Sequence, residues 1–173
     1  MQQTKKMAYK NTLAIISATT FVGSVIAKSI AEDHRLLLMD TEQSKLVLLQ
    51  SEIQAMHKNA ETDILNCCKN ASWQADIIVV ASDGEGLGEL AVKMEEVTNC
   101  KTVLHFTSRQ DNIDKLQHFL PHAKVVTIIF SEPFTDKGAN TDAFIHGTDK
   151  EAIDTAKMMV AAMTCKPQIP TKA

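Results

Sequence analysis

A chain of 173 residues that is 45% apolar and 23% charged has the make-up of one globular domain, long enough to bury a core without disulfide staples. Its net charge of −3, scattered basic residues and 5% aromatic content argue against a nucleic-acid surface or a base-stacking platform. No apolar run reaches membrane-spanning length, and Cys67, Cys68, Cys100 and Cys165 contain no CxxC pair, so a reduced cytoplasmic chain without a membrane partner is expected.

The opening residues 1–10 are polar, lack the apolar core of a signal peptide, and read as a flexible tail. Thr12–Ser17 is a short apolar run suited to a strand buried on both faces. Phe21–Glu32 follows with Val22, Val25, Ile26 and Ile30 at helical spacing. Arg35–Met39 is a second apolar strand ending at Asp40. Thr41 is placed to cap the next helix, whose stripe is Leu46, Leu49, Ile53 and Met56. Asp63–Leu65 gives a weak third strand, and Asp76–Ala81 a strong fourth followed by a helix from Leu87 to Val97. Thr102–Phe106 predicts a fifth strand, Asn112–Leu120 a short helix, and Ala123–Phe130 a sixth strand. A loop then leads to Asp142–His146. Asp149 caps a final helix that buries Ile153, Ala156, Met159, Val160 and Met163, and Gln168 with Ile169 would add an edge strand.

Alternating strands and helices require crossover connections and therefore parallel neighbours. The expectation is an α/β fold: a doubly wound, Rossmann-type, mostly parallel sheet of about seven or eight strands with helices on both faces. No linker, repeat or low-complexity run divides the chain, which reads as a single domain over 1–173.

The chemistry of such a sheet lies in the first strand–loop–helix unit, here Ile16-Ser17-Ala18-Thr19-Thr20-Phe21-Val22-Gly23. Dinucleotide sites place a glycine-rich turn there so that the pyrophosphate sits on the helix N-terminus. The spacing G-x-x-G-x-x-G, often written G-A-T-G-F-V-G, overlays the segment without a gap. Ala18, Thr19, Phe21, Val22 and Gly23 agree with it, while Ser17 and Thr20 replace two glycines. Gly23 would let the helix pack closely. Thr20 would crowd a pyrophosphate, and its β-branch resists positive φ. The hydroxyls of Ser17, Thr19 and Thr20 could instead donate to phosphate, and binding and decay of the loop both stay open.

Asp40, seventeen residues after Gly23, stands where an acid accepts from the adenosine ribose and repels a 2′-phosphate, which favours NAD over NADP. Thr41 adjoins it. A second glycine-rich stretch, Asp83–Gly88, carries Asp83 and Glu85, which would repel an anion, and reads as a loop entering a helix. Ser82 and Thr107 end strands flanking the expected switch point, where the nicotinamide would lie. Ser108, Arg109 and Glu132 share that rim. His105 reads as a packed strand histidine and Cys67-Cys68 as buried. No histidine pairs with an acid or nucleophile, and none shows metal-ligand spacing, so neither a hydrolytic triad nor a metal site is expected.

The first loop, Ala75–Ala81, Leu120–Val126 and Asp142–Asp149, in that order and spacing, resemble the dinucleotide-binding domains of the 6-phosphogluconate-dehydrogenase-like superfamily. In shape the chain is most similar to the deazaflavin-dependent NADP reductase family, and Val103–Thr164 is similar to the matching part of prephenate dehydrogenases. The resemblance implies hydride transfer with NAD or NADP, alongside a deazaflavin. It assigns no catalytic residue. Against the family pattern, Ser17 and Thr20 replace glycines, and Asp40-Thr41-Glu42 replaces Ser-Arg-like residues. Ser82 stands where a proline is usual, and the loop after Phe130 looks shortened, which counts against the deazaflavin. A homodimer is plausible for a lone Rossmann domain. The alternative is a non-catalytic relative with a decayed phosphate loop, serving as a sensor or interaction module.

Overall fold

The computed structural model describes residues 10–83, 86–131 and 141–170. Five short runs of β-branched and aliphatic residues form the centre of one eight-stranded sheet: β1 (Thr12–Ile16), β2 (Arg35–Met39), β4 (Ile77–Ala81), β5 (Thr102–Thr107) and β6 (Lys124–Phe130). Their near-continuous apolar character is what a sheet covered on both faces requires. β3 (Glu61–Leu65), β7 (Asp142–His146) and β8 (Lys166–Gln168) complete the order β3-β2-β1-β4-β5-β6-β7-β8. Neighbours are parallel except β6 and β7, so β7 and β8 run against the other six. Pro167, which has no N–H, sits on the edge strand β8, where a missing donor is tolerated.

Among the described residues six helices cover the sheet: α1 (Phe21–Ile30), α2 (Gln43–Met56), α3 (Cys68–Gln74), α4 (Leu87–Met94), α5 (Lys115–Phe119) and α6 (Lys150–Ala162). The pleat sorts the strand residues into two cores. Leu13 and Ile15 face the side holding Ile26 of α1, Leu46 of α2 and Ala152 of α6. Ala14 and Ile16 face Cys68 of α3, Leu87 of α4 and Leu116 of α5. Strand order reverses at the parallel pair β1 and β4, the chain stepping outward to β3 on one side and to β8 on the other, and the carboxyl ends of those two strands define the switch point. The expected doubly wound fold is therefore the observed one, with the upper strand number. No helix among the described residues is long and apolar enough to cross a membrane.

Local expectations fare unevenly. Asp149 caps α6 by accepting from the Ala152 N–H at 2.9 Å, as its position suggests. Thr41 does not cap α2. The N-cap there is Glu42, which makes no side-chain cap bond, while the Thr41 N–H is drawn back to Asp40. Met56, expected in the buried stripe, is 60% exposed, because α2 ends there as the chain turns away to β3. The expected helix over Asn112–Leu120 is split into a 3-10 turn, Gln110–Asn112, and the one-turn α5. Helix α3 has no counterpart in the periodicity reading. Its seven residues are too few to show a stripe, and Cys67 at its N-cap provides no capping signal. The tail expected over 1–10 falls, but for Lys10, outside the described residues, as do Gly84, Glu85 and Glu132.

Candidate functional site at the switch point

The turn from β1 into α1 is built around one left-handed residue and one hydroxyl. Ser17 has φ +61°, a conformation that glycine adopts freely and serine at some cost. The expected conflict lies elsewhere than at Thr20, whose φ is −64° and which needs no positive value. Thr20 is instead the N-cap of α1. Its Oγ1 accepts the Gly23 N–H at 3.1 Å and lies 2.8 Å from the Ser17 carbonyl and 3.1 Å from that of Ala81, its own proton shared between those two acceptors. The hydroxyl closes the loop from inside.

Gly23 shows why this turn tolerates no side chain at the helix's third position. A Cβ there would lie 2.5 Å from the Ser17 carbonyl oxygen and 3.0 Å from Ala18 Cα. Both are backbone atoms that cannot swing aside. The close packing expected of Gly23 is thus observed.

Asp40 ties this loop to the tip of β2. Its Oδ2 accepts the Thr19 N–H at 3.0 Å and the Thr19 hydroxyl at 2.6 Å. Its Oδ1 accepts the Thr41 N–H at 2.7 Å and, more distantly at 3.4 Å, the Thr41 hydroxyl. Burial alone would raise the Asp40 pKa, but the hydrogen bonds from Thr19 and Thr41 outweigh it and hold the carboxyl below its ordinary range. The Ala18 N–H reaching the Met39 carbonyl at 3.1 Å completes the seam.

A second carboxylate performs the same operation one strand pair away. Asp83, just beyond β4, accepts from the Thr107 hydroxyl, from the Ser108 N–H at 2.6 Å and from the Ser108 hydroxyl at 2.5 Å. Burial again acts upward and these donors prevail, so Asp83 too is held as an anion. Thr107 Oγ1 in turn accepts from the Arg109 N–H and the Asn112 amide. His105 lies fully buried beneath this seam, with Nε2 3.0 Å from the Ser82 carbonyl. A carbonyl only accepts, so Nε2 carries the hydrogen, and Nδ1 has no partner. Burial pushes the histidine pKa down against the Ser82 carbonyl and Asp83, keeping it neutral.

Two cavities open on either side of the α1 N-terminus and share Ser82. One, of about 220 Å³, is lined by Ile16, Ser17, Met39, Asp40, Thr41, Cys68, Ser82 and the first turns of α4 from Gly86 to Lys93. The other, of about 370 Å³, is lined by Thr20, Phe21, Val22, Ala81, Ser82, Asp83, Phe106, Thr107, Ser108 and Phe130. The structure thus gathers Ser17, Thr20, Phe21, Val22, Asp40, Thr41, Ser82, Thr107 and Ser108 onto cavity walls, leaves Thr19 and Gly23 in the loop and helix turn between, and places Arg109 on neither wall. Sequence reasoning misses four contributors. Asp83 reads from the sequence only as an obstacle to anions. Phe106 and Phe130, stacked at 6.1 Å between centroids, read simply as strand residues. Cys68 arrives on the unforeseen α3. Of the cysteine pair expected to be buried, Cys68 is buried and Cys67 is exposed, because only Cys68 faces the sheet.

No protein-family model and no curated protein matches the sequence. Solved structures share the fold. The NADP-bound pyrroline carboxylate reductase of Plasmodium falciparum superposes with a TM-score of 0.69 at 13% identity, covering 93% of this chain and 58% of that one. A 3-hydroxyisobutyrate dehydrogenase of Mycobacterium tuberculosis gives 0.69 at 13%, covering 93% and 54%. A protein of Arthrobacter sp. FB24 assigned as an F420-dependent NADP reductase gives 0.66 at 14%, covering 93% and 85%. This chain therefore spans little more than half the length of the first two. The likeness establishes the Rossmann-like fold and agrees with the resemblance read from the sequence.

Proposed function

We propose that the chain is a dinucleotide-binding protein of oxidoreductase type, one domain that takes NAD in preference to NADP across the switch point. The observation that carries this reading is the pair of cavities that share Ser82 and flank the N-terminus of α1. A dinucleotide has two ring systems joined by a pyrophosphate, and this site has two recesses joined by a helix end whose dipole favours an anion.

In this reading the recess beside Asp40, walled by Ile16, Met39, Leu87 and Leu90, takes the adenosine half. The ionised Asp40 carboxylate repels a 2′-phosphate, and rotation of the Thr41 hydroxyl off its 3.4 Å contact frees one acceptor for the ribose. The pyrophosphate meets Ser17 and the first-turn N–H groups of α1 near Val22. The nicotinamide half enters the aromatic recess between Phe21 and Thr107. When bound, that ring exchanges a hydride. The residues here orient it and exclude water, a role that needs no acid–base pair. No disulfide joins Cys67, Cys68, Cys100 or Cys165, which suits the reducing, cytoplasmic setting that belongs to this proposal, as does a homodimer. The shortened loop after Phe130 counts against a deazaflavin.

One observation favours a second reading, a non-catalytic sensor or interaction module. The Thr19 hydroxyl is held by Asp40, and the Thr20 hydroxyl caps the very N–H of Gly23 that a phosphate would seek. Calorimetric titration with NADH and NADPH separates the two. Micromolar binding of NADH, with NADPH weaker, is expected. Silence of both at millimolar concentration would leave the non-catalytic reading. Thr20→Gly is expected to strengthen NADH binding about tenfold by freeing the Gly23 N–H, at a stability cost of only a few tenths of a kcal/mol.

A further inference from the structure

The aromatic recess carries a charge that its own lining does not neutralise. Phe21, Phe106 and Phe130 supply its apolar wall, and Asp83 closes one side. The donors on Asp83 are the neutral groups of Thr107 and Ser108, which hold the carboxylate ionised without cancelling its charge. Among the described residues no lysine or arginine pairs with it, and the nearby His105 is buried and neutral. Among the described residues one acceptor position also remains. Oδ1 takes two donors, the Thr107 hydroxyl and the Ser108 N–H, while Oδ2 takes only the Ser108 hydroxyl.

Aromatic side chains and a carboxylate with no cationic partner among the described residues, on one small cavity, are the two elements that hold an organic cation. The ring quadrupole attracts positive charge, and the carboxylate adds its Coulombic pull in a partly desolvated place. A neutral apolar guest would desolvate Asp83 without return, and an anion would be repelled. We infer that the recess between Phe21, Phe106, Phe130 and Asp83 is an organic-cation site that holds the positively charged, oxidised nicotinamide ring in preference to the neutral, reduced one. The identity of the ring rests on the dinucleotide reading above. The cation preference rests on the cavity alone.

A protein that binds one redox form more tightly shifts the couple toward that form, and for two electrons each tenfold in affinity corresponds to about 30 mV. Tighter NAD+ binding lowers the potential of the bound couple, so the complex would be a stronger reductant than free NADH.

The test uses the whole chain. Calorimetric titration is expected to show NAD+ bound about tenfold more tightly than NADH, and Asp83→Asn to bring the two within about twofold. Asp83 also anchors Ser108, so Ser108→Ala serves as the structural control. It removes one hydrogen bond, keeps the charge, and is expected to keep the tenfold ratio. A wild-type ratio at or below one, or an Asp83→Asn variant that keeps the preference, overturns the inference. A second arm dispenses with the pyrophosphate. The permanent cation 1-methylnicotinamide and neutral nicotinamide are titrated while the phenylalanine ring signals are followed by NMR. Cation binding that is lost in Asp83→Asn, with no binding of either dinucleotide, would refute the dinucleotide reading and uphold the cation site. Equal binding of cation and neutral ring would refute the site itself.

Discussion

Asp40 and Asp83 are two versions of one device, a carboxylate at a strand tip that stitches its neighbour's loop into place. They differ in what is left over. Asp40 divides four donors from Thr19 and Thr41 between its two oxygens, three of them within 3.0 Å, and sits on the smaller recess. Asp83 receives three donors from Thr107 and Ser108 among the described residues, keeps one acceptor position open, and lines a recess with Phe21, Phe106 and Phe130. A saturated carboxylate must give up a contact before it can take a guest. An unsaturated one, with no cation beside it among the described residues, can take a guest while its loop stays latched.

Breaking the frame that the first latch serves should have the largest effect. Gly23→Ala would force a Cβ against the Ser17 carbonyl at 2.5 Å, and only backbone movement relieves that contact. A loss of about 2–3 kcal/mol in urea unfolding is expected, together with loss of NADH binding. Stability unchanged to within about 0.5 kcal/mol would mean that the β1–α1 turn is not packed as described.

Next in size is the contrast between the latches themselves. Asp40→Asn replaces one acceptor oxygen by a donor and sets an NH2 group against Thr19 or Thr41 donors. About 1–2 kcal/mol of stability should be lost. Asp83→Asn, on a more exposed seam, should cost about 1 kcal/mol or less and show its main effect in the NAD+/NADH ratio. The reverse ranking in urea unfolding would undo the distinction between a saturated latch and an unsaturated one.

How far these latches were legible differs in an instructive way. Asp40 could be found because it ends a clean apolar strand at a fixed distance from Gly23. What could not be read was its choice of partners, since Thr19 and Thr41 reach it across 21 residues and one residue respectively. The register of β1 on β2, Ile16 beside Met39, brings the first pair together, and sequence spacing does not encode register. Asp83 was hidden by its glycine-rich surroundings and becomes visible only when β4 and β5 align, with Ala81 opposite Phe106. The β-strands were legible because both faces are buried and the runs are apolar without interruption. Helix α3 and the true cap of α1 were not, for want of length in one and because Thr20 was weighed as a misplaced glycine in the other.

The smallest effect is expected in the pH dependence beneath the second latch. His105 is buried neutral, with its folded pKa depressed below the ordinary value of 6.5, and half-buried His34 is depressed as well, chiefly by burial. Between the two values the unfolded chain binds more protons than the folded one, so stability rises with pH there. The contribution is fully present above about pH 6.5 and is lost as the pH falls toward the depressed folded values. Asp40 and Asp83, also depressed, add a second loss only below about pH 4, as they protonate. His105→Gln keeps an N–H within reach of the Ser82 carbonyl and removes the titration, leaving His34 to act alone. Urea midpoints of wild type should therefore fall more steeply between about pH 7 and pH 5 than those of His105→Gln. Parallel profiles would show that the buried ring is not what couples the second latch to acid, and that protonation of its carboxylate alone governs its loss.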